Sequence, residues 1–213
     1  MRFFRKATAP SPAAPTRLHV GCGSEAIAGW VNIDSRPLPG VDQVLDVTSG
    51  LPFENVSTIY AEHFLEHLSL QDGLAFLAEC RRALGDDGVL RLSTPNLDWV
   101  YLTHYQVGQW KDDEESLRDC LQLNRAFHGW GHQFLYNPRS LSAVLRASGF
   151  ASVRFQRYGQ SDLAELRGLE RHETWEDTPE LPHVIIAEAF GRGAPRPLPE
   201  EHLQPFLEAL AIR

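Results

Sequence analysis

The feature that most constrains this chain is a glycine loop set almost directly against a second strand. Leu18-His19-Val20 is a short apolar run ending in Gly21-Cys22-Gly23-Ser24. Trp30-Val31-Asn32-Ile33 follows and ends in Asp34, with only nine residues between Gly21 and Val31. A parallel crossover ordinarily takes about a dozen residues or more, so one short turn is expected here instead of a full helix. Glycine permits tight turning and a close approach of backbone to a ligand. With Ala26 the loop also satisfies the loose dinucleotide pattern G-x-G-x-x-G/A. Asp34, however, stands 13 residues after Gly21, whereas nicotinamide-binding folds place the ribose-binding acid about 20 residues on. A ligand without a diphosphate fits this spacing better.

The rest of the pattern alternates strand and helix, which predicts an α/β domain. Further strands are expected at Val44-Leu45, at 57–61, at 89–93, and late at 150–158 and 183–190, the last two as a closing hairpin. Several end in polar residues: Asp46, Glu62-His63 and Thr94-Pro95-Asn96. Ligands of open α/β sheets bind at that carboxyl edge. Ser69 is placed to cap a helix through Leu84, with Gly85 in the left-handed conformation that ends it and Asp87-Gly88 as a turn. Asn137-Pro138 opens another helix, closed by Gly149.

The segments LHVGCGS, GWVNID, QVLDVTSGLPFENVSTIYAEHFLEHL and ECRRALGDDGVLRLSTPN, with the later YNPRSLSAVLRASGF, resemble a class I S-adenosylmethionine-dependent methyltransferase over roughly 18–158. The missing first helix resembles a bacterial subgroup in which the glycine loop runs almost directly into G-W-x-N-I-D, a methyltransferase-type-11-like pattern. The resemblance implies a Rossmann-like, doubly wound, mostly parallel seven-stranded sheet with an antiparallel last strand. It implies S-adenosyl-L-methionine as cofactor and S-adenosyl-L-homocysteine as product. Gly21, Cys22 and Gly23 would then lie against the methionine and ribose parts, and Asp34, with Ser35, at the ribose hydroxyls. Asp46, Val47 and Thr48 would meet the adenine edge, and Glu62 and His63 the sulfonium and amino end. Each role has a plainer alternative: a turn or cap for Asp34 and Asp46, a backbone-only contact for Glu62, and space-filling for Cys22.

His63 is the candidate general base, although methyl transfer from a sulfonium does not always need one. A positioned acid or base would help a hydroxyl acceptor by roughly 10²–10⁴. His63 and His67 are four apart and could share a face, but no third ligand has recognisable spacing. Gly129 and Gly131 disfavour a helical His128/His132 pair. No metal is therefore expected.

The stretch 98–137 reads as an insertion. It holds eight of the chain's 21 aromatic residues, and disordered segments lack aromatics. A helix is expected over 114–127. As a lid over the cleft, the insertion would offer Trp99, Tyr105, His128, Trp130 and His132 to a substrate, since aromatic faces can stack on sugars or flat rings. The alternative is a small accessory core or a dimer contact. His172 and Trp175 are further residues that could reach the cleft.

The domain is expected at 17–190, between a disordered arm (1–16) and a Pro-rich linker with a short helix (191–213). Leu203, Phe206, Leu207 and Leu210 share one face of that helix, which would dock on the body or on a second copy of the chain. The arm has no apolar stretch of secretory-signal length, and its Phe3-Phe4 pair between basic residues could touch an acidic membrane weakly. No run approaches a membrane span. The net charge is −8, and the chain beyond residue 17 carries −12, which opposes nucleic acid as a partner. Three cysteines leave one unpaired in any disulfide scheme, which points to a reducing, cytoplasmic setting. The expected activity is methyl transfer by in-line displacement to a small-molecule or glycan-like acceptor. A non-catalytic cofactor-binding or scaffold protein is the second reading, and a nicotinamide-dependent oxidoreductase the third.

Overall fold

A computed structural model describes residues 16–171, 178 and 180–211. The arm up to residue 15, and His172 and Trp175, lie outside the described residues. Seven strands form one sheet: β1 (Arg17–Val20), β2 (Val31–Asp34), β3 (Gln43–Val44), β4 (Val56–Glu62), β5 (Leu84–Pro95), β6 (Phe150–Gln156) and β7 (Val184–Arg192). Their order is β3-β2-β1-β4-β5-β7-β6. β7 runs antiparallel to both neighbours, and the other pairings are parallel. The expected sheet and closing hairpin are therefore present. The order reverses at β1, which opens a crevice between β1 and β4 at their carboxyl ends.

Alternation along the strands separates two faces. Leu18, Val20, Ile33, Ile59, Leu90 and Leu92 are buried on one of them. They pack with Phe76, Leu77 and Cys80 of α1 (Leu70–Ala83) and with Leu141, Val144 and Leu145 of α4 (Pro138–Ala147). Ser69 caps α1 by accepting from the Asp72 N–H, and Asn137 and Ser140 form a capping box on α4. The C-terminal helix α5 (Glu200–Leu210) lays Leu203 and Phe206 against the same core.

The other face is largely polar. His19, Arg91 and Glu188 are buried there, beside the smaller cluster of Trp30, Tyr60, Val89 and Leu166. No helix covers the β1–β2 crossover. Asn32 takes that place: its Oδ1 accepts the Ile27 N–H at 2.8 Å, and its Nδ2 donates to the Ile27 and Trp30 carbonyls, each at 3.2 Å. One buried amide thus satisfies backbone groups that a helix would otherwise pair.

The α1–β5 junction differs from expectation. The chain passes from Ala83 straight into β5 at Leu84, so Gly85 is extended and not left-handed. The Leu84 N–H still closes the last turn on the Cys80 carbonyl, and Arg81 braces the junction. Its guanidinium donates to the Leu84 and Gly85 carbonyls at 3.0 and 2.9 Å, which holds the first residues of β5 against the end of α1.

The insertion forms α2 (Leu97–His104) and α3 (Asp113–His128), followed by a tight turn at 129–131. Val100, Ala126 and Leu135 give it a small core of its own. It is pinned to the body where the Gln133 and Phe134 N–H groups donate to the Glu66 carbonyl.

Candidate functional site

Three cavities meet at the carboxyl edge of the sheet. The first, about 420 Å³, is lined by Gly21, Asp34, Ser35, Asp46, Val47 and Thr48, among others. The second, about 480 Å³, takes Gly21, Cys22, Glu25, Glu62 and His19. The third, about 330 Å³, lies under the insertion between Trp99, His104, Arg125, Ala126 and Leu135. His63 and Trp130 line all three. Nine of the ten residues expected at the cofactor border the first two cavities; Gly23 lines neither.

Asp34 is held before any ligand arrives. Its Oδ2 accepts the Gly23 N–H at 2.9 Å, and its Oδ1 accepts the Arg36 N–H at 2.9 Å. Burial alone would raise its pKa. The Arg36 and Gly23 N–H groups and the Arg36 guanidinium outweigh burial and hold it below the ordinary aspartate value. A carboxylate fixed in its charged form at a cavity wall is suited to accept from hydroxyl donors. Asp46 has a local task as well: its Oδ1 caps the 47–49 turn by accepting from the Thr48 N–H and hydroxyl, at 3.0 and 2.7 Å.

Cys22 is buried, and burial, reinforced by Asp34, raises its thiol pKa, which opposes a nucleophilic role. Glu62 borders the second cavity and accepts the Arg171 N–H at 2.8 Å. Arg171 in turn donates to Glu25, so the far loop closes over this end of the crevice. His19 donates from Nδ1 to Asn32 Oδ1 at 3.2 Å, because that oxygen is fixed as an acceptor by the other Asn32 bonds. Burial lowers the His19 pKa, so the ring is kept neutral.

Among the described residues, only Asn55, His63 and Trp130 are non-glycine residues with positive φ. Two of these three are the residues shared by every cavity. Left-handed backbone costs such residues about 1–3 kcal/mol and concentrates at functional sites. His63 Nδ1 lies 3.3 Å from Glu66 Oε1, and Trp130 stacks beneath Arg125 at 4.9 Å.

The insertion delivers Trp99, Trp130 and His132 to the third cavity, but not Tyr105 or His128. Asp119 accepts from the Gln106 N–H and from Trp110 Nε1, which draws the 105–110 loop back onto α3. Tyr105 packs there against Trp110. His128 ends α3 and is exposed. In their place stand His104, Gln122, Arg125 and His183, which sequence reasoning did not single out. Helical periodicity on α3 could have found Gln122 and Arg125. The His67 ring lies 5.2 Å from that of His132.

Comparison with solved structures returns the same architecture. A SAM-dependent methyltransferase from Archaeoglobus fulgidus is 14% identical, with a TM-score of 0.50 over 83% of this chain and 86% of that one. The CMeT domain of a citrinin polyketide synthase is 15% identical, with a TM-score of 0.50 over 84% of this chain and 47% of that one. PigF, solved with SAH, is 15% identical, with a TM-score of 0.48 over 82% of this chain and 50% of that one. This chain thus spans about half the length of the latter two. No curated protein sequence matches it. Among the described residues no helix is long and apolar enough to cross a membrane. A family model described as a methyltransferase domain matches residues 2–154, and the chain belongs to that family.

Proposed function

We propose that this chain is an S-adenosylmethionine-dependent methyltransferase whose cofactor occupies the first two cavities and whose acceptor enters the third. The observation that carries this reading is the Asp34 carboxylate, tied by two backbone N–H groups and kept charged at the wall of a cavity of about 420 Å³. That volume lies within the range of roughly 300–1,000 Å³ usual for small-molecule sites. Asp34 would accept from the ribose hydroxyls, the loop 21–23 would lie along the nucleoside, and Glu62 would offset the sulfonium charge. Transfer would be an in-line displacement, in which alignment of donor and acceptor removes much of the barrier.

His63 stands between the cofactor and acceptor cavities and is the group placed to take a proton from a hydroxyl acceptor. Trp99, Trp130 and His132 would receive a flat or glycan-like acceptor. The SAH bound to PigF, at the same level of identity, accords with this cofactor. Three unpaired cysteines accord with a cytoplasmic setting.

Calorimetric titration with S-adenosylhomocysteine tests the reading. Micromolar binding by the wild type, weakened at least tenfold in Asp34→Ala (about 1.4 kcal/mol), is the expected result. A folded wild type that binds no S-adenosylhomocysteine would overturn it.

A further inference from the structure

We propose that Glu66, His67 and His132 form a binding site for a divalent first-row transition-metal ion at the border of the cofactor and acceptor cavities. Each offers one ligand atom, and the three atoms lie within 4.8 Å of one another. Ligands about 2.0–2.2 Å from one tetrahedral ion sit about 3.5 Å apart, so closure of roughly an ångström would seat the ion. Two imidazoles and one carboxylate are a donor set that such ions favour.

Two further observations point to a ligand. Glu66 is fully buried, and its two oxygens are treated differently. Oε2 accepts the Thr94 hydroxyl at 2.9 Å, whereas Oε1 accepts no hydrogen bond. His63 Nδ1 lies 3.3 Å from Oε1. A buried carboxylate oxygen in that condition is costly, and a cation relieves the cost. His132, in turn, is set up as a ligand. Its Nδ1 lies 2.8 Å from the Ala126 carbonyl, which can only accept. The proton is therefore on Nδ1, and Nε2 keeps its lone pair. A backbone carbonyl on the second ring nitrogen is the usual means of orienting a metal-bound histidine.

Sequence spacing hid this site because it joins two separate pairs. His67 comes from the turn after β4 and His132 from the far end of the insertion. The contacts that bring them together are local: the Gln133 N–H donates to the Glu66 carbonyl at 2.7 Å, and Gln133 Nε2 donates to the His67 carbonyl at 2.6 Å.

Three protein ligands leave coordination positions open. His67 borders the first two cavities and His132 the second and third, so an open position would face the junction. An acceptor hydroxyl bound there would lose its proton more readily, as metal-bound water does. This role rests on the methyl-transfer reading; the metal site itself does not.

The test is titration of the metal-stripped full chain with Co²⁺, followed by its visible absorption, beside a calorimetric titration with S-adenosylhomocysteine. One equivalent of Co²⁺ is expected, with affinity reduced at least tenfold in His132→Ala and in Glu66→Gln, each checked for folding by circular dichroism. His132→Gln replaces His132→Ala if the latter does not fold. Absence of Co²⁺ absorption in the wild type, or variants that bind as tightly as the wild type, overturns the site. Uptake of S-adenosylhomocysteine without Co²⁺ overturns the metal site alone. Uptake of Co²⁺ through these residues without S-adenosylhomocysteine leaves the metal site standing and overturns the methyl-transfer reading.

Discussion

Gly23 donates its backbone N–H to Asp34 Oδ2 at 2.9 Å, which ties the glycine loop to the tip of the neighbouring strand. The bond is stronger while Asp34 is ionised, and it helps to hold the Asp34 pKa below its ordinary value of 3.8. The sign follows from linkage. A depressed carboxylate pKa stabilises the fold above the unfolded value, and the contribution is lost as pH falls through the lower folded value. The melting-temperature gap between wild type and Asp34→Asn should therefore stay constant from pH 7 to 5 and close only below about 3.9. A gap that already shrinks at pH 6 would contradict this assignment.

Gly21 and Gly23 share a left-handed backbone, at φ +66° and +54°, but not a surrounding. A Cβ on Gly21 would come 2.4 Å from Phe64 Cδ2, and Phe64 is itself packed on Phe76. A Cβ on Gly23 would meet nothing within 4 Å. Both alanine variants lose about 1–2 kcal/mol to backbone strain. Gly21→Ala should lose clearly more in urea denaturation, because Phe64 must move. Gly23→Ala should stay within that range yet bind S-adenosylhomocysteine at least tenfold more weakly, since its open side is where the ligand would lie. Equal binding by Gly23→Ala and wild type would remove that loop position from the site.

The grouping of the candidate cofactor residues was legible in the sequence because most of them lie at or just beyond strand ends. Gly21, Asp34, Asp46 and Glu62 end runs whose hydrophobic pattern is readable, and parallel pairing brings those ends to one edge. The lining of the cavity under the insertion was not. Whether Tyr105 or His104 enters the cleft depends on Asp119 pulling the 105–110 loop onto α3, a tertiary contact with no periodic signature. The Glu66–His67–His132 cluster escaped for the same reason, since its members belong to two elements whose docking no spacing encodes. Gly85 misled differently. In place of the expected left-handed cap it is the second residue of β5, whose pairing with the neighbouring strand is a tertiary contact that no propensity describes.

Asn32 replaces a helix by hydrogen bonding, and its loss should be felt in stability before chemistry. Its side chain meets Ile27 twice, Trp30 and Asp42, all at 2.8–3.2 Å. Asn32→Leu would leave buried backbone groups of the crossover unpaired, at about 1–3 kcal/mol each. A total loss of roughly 2–4 kcal/mol in chemical denaturation is expected. Asn32→Asp should also be destabilising, because it keeps the acceptor that Ile27 N–H uses but sets a carboxylate oxygen against Asp42 and the Ile27 and Trp30 carbonyls. A loss under about 0.5 kcal/mol in Asn32→Leu would mean that water serves the crossover equally well.

Arg91 connects the sheet to the loop that closes the crevice. It is fully buried on the polar face and holds Glu170 through Nε at 2.7 Å, Glu188 through Nη1 at 2.5 Å and the Gln160 carbonyl through Nη2 at 3.0 Å. The carboxylates reach further: Glu188 accepts from Ser161 and Gln156, and Glu170 from the Gly159 N–H. Arg171 comes next in the chain, and its N–H supports Glu62 at the second cavity. Arg91→Met would strand two buried carboxylates, and breaking such a cluster from one side costs about 3–5 kcal/mol. Denaturation at pH 7 should show that loss, with weaker S-adenosylhomocysteine binding as the loop loosens. Adding Glu170→Gln should recover part of the stability, because one orphaned charge disappears. If the double variant is no more stable than Arg91→Met, the cost comes from lost packing of the guanidinium and not from the stranded charge.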